Sequence, residues 1–219
     1  MLPNLLYLQY MNADLKLRWL ELNQRQSRDD AANQLWNEIE ENYQQTYRAY
    51  HNLNHVASML SEFDAIRDQF AEPVAIEWAI WFHDLYYVVG ATSNELRSAD
   101  RAQEAAHLLG HSAQFSEIVH QAIMATRAHT AYNLDAQLLV TLDLAVLGRS
   151  TEEFNVYDAA IHREAMSHPL YTDEFYRTKR LAWAETFVKR DPIYPTEYGR
   201  IRYEAAAKSN LNELIDNLK

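Results

Sequence analysis

The chain has 219 residues, 48% of them hydrophobic, with 20 basic against 31 acidic side chains and no cysteine. That length suits one large domain or two small ones. The formal charge of −11 opposes binding to nucleic-acid polymers. The lack of thiols excludes disulfides, thiolate nucleophiles and Cys-ligated zinc or iron–sulfur sites.

Four glycines and five prolines leave little turn chemistry for hairpins. In chain order, helix signals come instead. A segment from about Asn4 to Gln24 carries Leu5, Leu8, Leu15 and Trp19, an amphipathic set that suits a core or a homo-oligomer face. Asp29-Asp30 precedes Leu35, Trp36, Ile39 and Tyr43 at helical spacing. His51 and His55 lie four residues apart, which on a helix would separate them by about 40° on one face, with Asn52 or Asn54 as the alternative cap. Pro73 suits the first turn of a helix running toward Tyr87, ended by Gly90.

Ser93 heads a segment through Ala99, Ala102, Ala106 and Leu109, with Gly110 just past its end. Ser112 caps the next, through Phe115, Ile118, Val119 and Ile123. Leu134 to Leu147 stops at Gly148. Thr151, Thr172 and Thr196 open three more helices. No Asn-Gly or Asp-Gly hairpin signal, internal repeat or linker interrupts the pattern. The expectation is an all-α, single compact bundle of about ten helices. The start lacks a basic leader, and no run reaches the ~18 apolar residues of a membrane span, so a cytoplasmic protein without a membrane partner is expected.

The chemistry concentrates at His83-Asp84. Ala79 to Phe82 precede the pair and Leu85 to Val89 follow it. A carboxylate in such surroundings costs several kcal/mol, about as for any buried ion, unless it is paired or binds a metal. Asp143, in Leu142-Asp143-Leu144-Ala145-Val146-Leu147, poses the same problem. His51 reads either as a support for a neighbouring ligand or as an ordinary helix-start residue. His120, His162 and His168 read as structural or exposed. The fourteen tyrosines and five tryptophans read as packing, with Tyr86 and Tyr87 near the pair.

The ordered set Tyr50-His51-Asn52-Leu53-Asn54-His55-Val56, Ala79-Ile80-Trp81-Phe82-His83-Asp84, Ser93 to Ala99, Ala125-Thr126-Arg127-Ala128-His129, Asp143 to Gly148, and Tyr157 to Glu164 resembles the HD-domain superfamily. It is most similar to a branch of predicted metal-dependent phosphohydrolases. The resemblance runs from about residue 47 onward, with a metal-site core to about residue 165 and C-terminal helices from 172 to 219.

It implies His55, His83, Asp84 and Asp143 as metal ligands, holding a divalent ion such as Mn, Fe, Co, Ni, Mg or Zn. It implies Asp84, Glu95 and His129 as catalytic candidates: Asp84 orienting water or bridging to a second ion, Glu95 as the acid following the pair, His129 as an extra histidine. His107 and His111 are rivals to His129. Arg97, Arg127 and Arg163 are candidate contacts to a small phosphorylated substrate, a nucleotide among the options. The same scaffold also implies two other readings: a non-catalytic regulatory domain and a di-iron oxygenase.

Overall fold

A computed structural model describes residues 5–24 and 29–219, with side chains from residue 12 onward. The described residues form ten α-helices and no strands, and 75% of them are helical. They are α1 (Leu5–Asn23), α2 (Asp29–Tyr43), α3 (Leu53–Ala65), α4 (Pro73–Phe82), α5 (Asn94–Leu108), α6 (Ala113–Ala128), α7 (Leu134–Asp143), α8 (Thr151–Met166), α9 (Asp173–Val188) and α10 (Glu197–Leu218). No described helix is long and apolar enough to cross a membrane.

The capping chemistry follows the residue types. Asn52, Ser112, Asn133, Thr172 and Thr196 each accept a first-turn backbone N–H at their helix. Gly110 stands just beyond α5 at φ +85°, a conformation that favours glycine. Three sequence expectations shift. The helix after Gly148 is capped by Ser150 in a reciprocal capping box with Glu153, so Thr151 is its first residue. The segment after Leu134 is α-helical only to Asp143 and continues as a 3-10 helix over Leu144–Gly148.

The third shift matters most. The helix from Pro73 stops at Phe82, five residues short of Tyr87. Beyond it, backbone groups find partners outside any helix. The buried Arg48 guanidinium donates to the carbonyls of Asp84 and Leu85, while Ser98 and Asn94 accept from the N–H groups of Tyr86 and Val88. The His83-Asp84 pair therefore sits at a helix end.

The core explains the rest of α4. Ala75 through Phe82 are all buried, and Trp78, Trp81 and Phe82 pack with Trp19 of α1 and Trp36 of α2. Leu15 and Trp19 are thus core residues, while the side chains of Leu5 and Leu8 lie outside the described residues. A second apolar cluster joins α7 to α10 through Val140, Leu147, Phe154, Ala184, Phe187, Tyr203 and Leu211. Gly148 lets α10 approach closely, since a Cβ there would fall 2.6 Å from the Tyr203 carbonyl oxygen.

Glu62 ties α3 to α10. It is 6% exposed, pairs with Arg149, and accepts from the Tyr203 and Tyr198 hydroxyls at 2.6 and 3.0 Å. Burial pushes its carboxyl up, but these donors and the Arg149 charge outweigh burial and leave it below its ordinary value. A depressed carboxyl contributes stability above its unfolded value of about 4.5 that is lost as pH falls through the folded value. Glu62→Gln should therefore lower stability near neutrality by about 2 kcal/mol and flatten the acid limb of the stability curve. Urea melts between neutrality and acid pH check this, and an unchanged acid limb would count against it.

Candidate metal centre

The site forms where three helix ends and one helix start meet. His55 is on the first turn of α3, His83 is the C-cap of α4 with Asp84 next, and Asp143 closes α7. His129 is the C-cap of α6, at φ +51°. A left-handed conformation is uncommon for a residue with a Cβ. Here it turns the chain at the end of α6, and the His129 ring faces Asp143.

The ligand atoms converge. His55 Nε2 lies 3.1 Å from His83 Nε2 and 3.3 Å from Asp143 Oδ1. Asp84 Oδ2 lies 3.1 Å from His83 Nε2 and 3.9 Å from His55 Nε2. His83 Nε2 is 3.9 Å from Asp143 Oδ1, and His129 Nε2 is 3.3 Å from Asp143 Oδ2. Within this set the ligand atoms of His55, His83 and Asp84 all lie within 4.8 Å of one another. Adjacent ligands at ordinary metal–ligand lengths of about 2.1 Å stand about 3 Å apart, so these separations fit a single ion.

The tautomer fits as well. His83 Nδ1 is 3.0 Å from the Ile80 carbonyl, which makes Nδ1 the protonated nitrogen of a neutral ring and leaves the Nε2 lone pair for a metal. Without a metal, protons take its place. Burial pulls the His83 imidazole down, but the charge and hydrogen bond of Asp84, with Asp143 behind, hold it up to about 9. Burial pushes both carboxyls up; His83 and His51 pull Asp84 well below the usual range, and hydrogen bonds from His129 and His55 do the same for Asp143. A cation entering this cluster displaces a proton from His83, so metal affinity rises with pH.

His51 stands outside α3, because Asn52 is the cap. The one-face relation expected of His51 and His55 therefore does not arise from a helix. Glu164 sets its position instead. Glu164 Oε1 accepts from the N–H groups of Tyr50 and His51 at 2.7 and 2.9 Å, and Oε2 lies 2.6 Å from His51 Nδ1. Tyr87 stacks on the His51 ring at 4.1 Å, and His51 Nε2 is 4.0 Å from Asp84 Oδ2. The result is a His–Glu dyad whose free ring edge faces the candidate ligand Asp84.

One cavity of about 260 Å³ carries Asp84, Asp143, His129, His51 and Glu95 on its walls. A second, of about 400 Å³, adjoins it through Tyr50, Asp143, Val146 and Tyr157, and there His55 and Arg163 contribute. The other two expected arginines are not brought to the site. Glu95 of α5 lines the cavity, so Arg97, two residues on, projects to the other side, exposed over the Tyr86 ring at 4.7 Å. Thr126 lines it, and the next residue, Arg127, is exposed. His107 and His111 are also elsewhere: His107 is 3.0 Å from the Ser116 hydroxyl and His111 stacks on Phe115.

Sequence reasoning assigned no role to Arg48, Glu164 or Arg180. Arg180 lines the same cavity as Asp84, is 6% exposed, donates from Nε to Asp158 at 2.8 Å and lies 3.9 Å over the Trp183 ring. The signal was a charge on an apolar face: Arg180 belongs to the stripe Tyr176, Arg180, Ala184, Phe187, and Glu164 to the stripe Phe154, Tyr157, Ala160, Glu164.

Compared with family models, curated proteins and solved structures, the chain returns no match. The class that fold and site define is an all-α protein with a buried histidine–aspartate cluster able to hold a metal ion.

Proposed function

We propose that this chain is a metal-dependent phosphohydrolase of the HD type, which cleaves a phosphate ester with a metal-activated water. The observation that carries the reading is the convergence of His55, His83 and Asp84, with Asp143 at 3.3 Å from His55, beside a cavity lined by Asp84 and Asp143. A ligand set of two imidazoles and two carboxylates suits a divalent ion from Mn²⁺ to Zn²⁺, or Mg²⁺. His55, His83, Asp84 and Asp143 would hold such an ion, and four protein ligands would leave it room for water and a substrate oxygen. When bound, such an ion lowers the pKa of its water and polarises the phosphoryl oxygen.

The chain's own residues supply the rest. Asp84 orients the attacking water. Glu95, on the cavity wall, is placed to accept the proton that water loses as its oxygen bonds to phosphorus. Glu164 fixes the His51 ring and, with the Asp84 charge, favours its imidazolium form against burial, so that Nε2–H gives its proton to the departing alkoxide when the ester P–O bond breaks. His129 holds the second oxygen of Asp143. A scaffold role would give no reason for ligand atoms to open onto a cavity with a dyad at its edge.

The test is phosphate release from a panel of phosphomonoesters and nucleotides by chelator-treated protein resupplied with Mn²⁺, Co²⁺, Ni²⁺ or Mg²⁺. Metal-dependent release is expected, with none in chelator. No release with any metal across the panel overturns the reading.

A further inference from the structure

We infer that Arg180 is a phosphoryl-binding residue, which shares a cavity with the histidine–aspartate cluster and grips a non-bridging oxygen of a phosphate monoester. The inference rests on the phosphohydrolase reading and assigns the part of the site that holds substrate.

Its first ground is an unmet donor. The guanidinium is 6% exposed, and only Nε meets a carboxylate, Asp158 at 2.8 Å. Nη2 is buried without a well-formed hydrogen bond, and the Tyr157 hydroxyl gives the guanidinium only a weaker contact. Buried donors are nearly always satisfied, and an orphaned one on a charged group is costly, so the exception calls for a ligand. Its second ground is place. Arg180 lines the cavity of about 260 Å³ that also exposes Asp84, Asp143 and His129. A molecule filling it meets both the candidate ligands and Arg180, and a small shift of the side chain would present Nη2 to it.

Its third ground is rigidity. The guanidinium lies 3.9 Å over the Trp183 ring and 5.2 Å from the Tyr157 centroid, and the Asp158 bond fixes its remaining freedom. A planar fork held before substrate arrives matches tetrahedral oxyanions geometrically, and such donors act without reorganisation during reaction. Of the arginines favoured by sequence, Arg97 and Arg127 are exposed and line neither cavity, and Arg163 is exposed and lines the adjoining cavity rather than the one that holds Asp84.

The experiment is calorimetric titration of metal-loaded wild-type, Arg180→Met and Arg180→Lys proteins with inorganic phosphate, and with acetate as a second probe. Metal content is measured on the same samples. Wild type should bind phosphate in the millimolar range or tighter. Arg180→Met should raise its Kd at least about tenfold, and Arg180→Lys, which lacks the fork, several-fold, both with unchanged metal content. KM for a hydrolysed ester should rise in parallel. Phosphate affinity within twofold of wild type in either folded variant overturns the inference, as does metal-loaded wild type that binds no phosphate. Equal, Arg180-dependent affinity for acetate overturns the phosphoryl assignment. Failure of the phosphohydrolase reading is seen separately, as wild-type protein without metal or without phosphate release.

Discussion

Asp84→Ala should lose its metal. The carboxylate is one of three groups whose ligand atoms lie within 4.8 Å of one another, and it stands 3.1 Å from His83 Nε2. Removing it leaves two imidazoles and Asp143, three ligands with one negative charge where the full set supplies four with two. Metal affinity should fall by well over a hundredfold, more than the loss of an outer-shell partner produces. Phosphate release, if it follows the proposed route, should fall at least about a thousandfold, since the lost Lewis acid accounts for several kcal/mol of barrier. Elemental analysis and equilibrium dialysis against Mn²⁺ check the first effect. Undiminished metal content removes Asp84 from the ligand set. Asp84→Asn should behave similarly, because an amide oxygen keeps the shape without the charge.

Arg48→Ala should produce the largest loss of stability. Arg48 is 5% exposed and its guanidinium serves the carbonyls of Asp84 at 2.7 Å, Leu85 at 2.8 Å and His51 at 3.3 Å. It also packs over the rings of Tyr43 and Tyr87. It joins the two segments that carry His51 and the His83-Asp84 pair. Without it, three carbonyls lose a charged donor, and at about 1–3 kcal/mol for each buried group left unmet the total reaches about 4 kcal/mol. For a chain of this size that corresponds to a fall in Tm on the order of 10 °C. Thermal unfolding of the chelator-treated protein isolates this from metal binding. A fall of only a degree or two would mean that water replaces the guanidinium, and that Arg48 does not set the course of the chain after α4.

The two predictions separate two kinds of residue. Asp84 stands among neighbours that no apolar run tolerates unpaired, so its chemistry shows in its immediate sequence. Arg48 lies in Gln44-Gln45-Thr46-Tyr47-Arg48, a polar stretch that marks nothing out. Its partners are 36 and 37 residues away along the chain.

The same contrast runs through the whole molecule. Helix punctuation was local and legible: Ser112, Thr172 and Thr196 cap the helices they precede, and Gly110 follows α5. The end of α4 was not legible. Its apolar run continues through Tyr87, while beyond Phe82 the backbone groups are taken up by Arg48, Ser98 and Asn94 from other segments. The histidine at position 51 was visible as a residue but not as a dyad, because Glu164, its partner, is 113 residues away. The three arginines put forward from sequence were chosen by nearness to motifs along the chain. The one on the cavity wall beside Asp84 and Asp143, Arg180, comes from α9, outside every motif segment.

The sequence alone determined the all-helical class and most helix boundaries, because periodicity and caps act within a turn or two of the chain. It also marked Asp84 and Asp143 as carboxylates in need of a partner, because burying charge has a cost that does not depend on the fold; grouping them with His55 and His83 as ligands came from the resemblance to HD domains. Tertiary structure decided what surrounds them: which imidazole edge faces which carboxylate, which acid orients His51, and which guanidinium enters the cavity. Those are distances between residues 28 to 113 positions apart, set by how whole helices pack, and no local pattern encodes them.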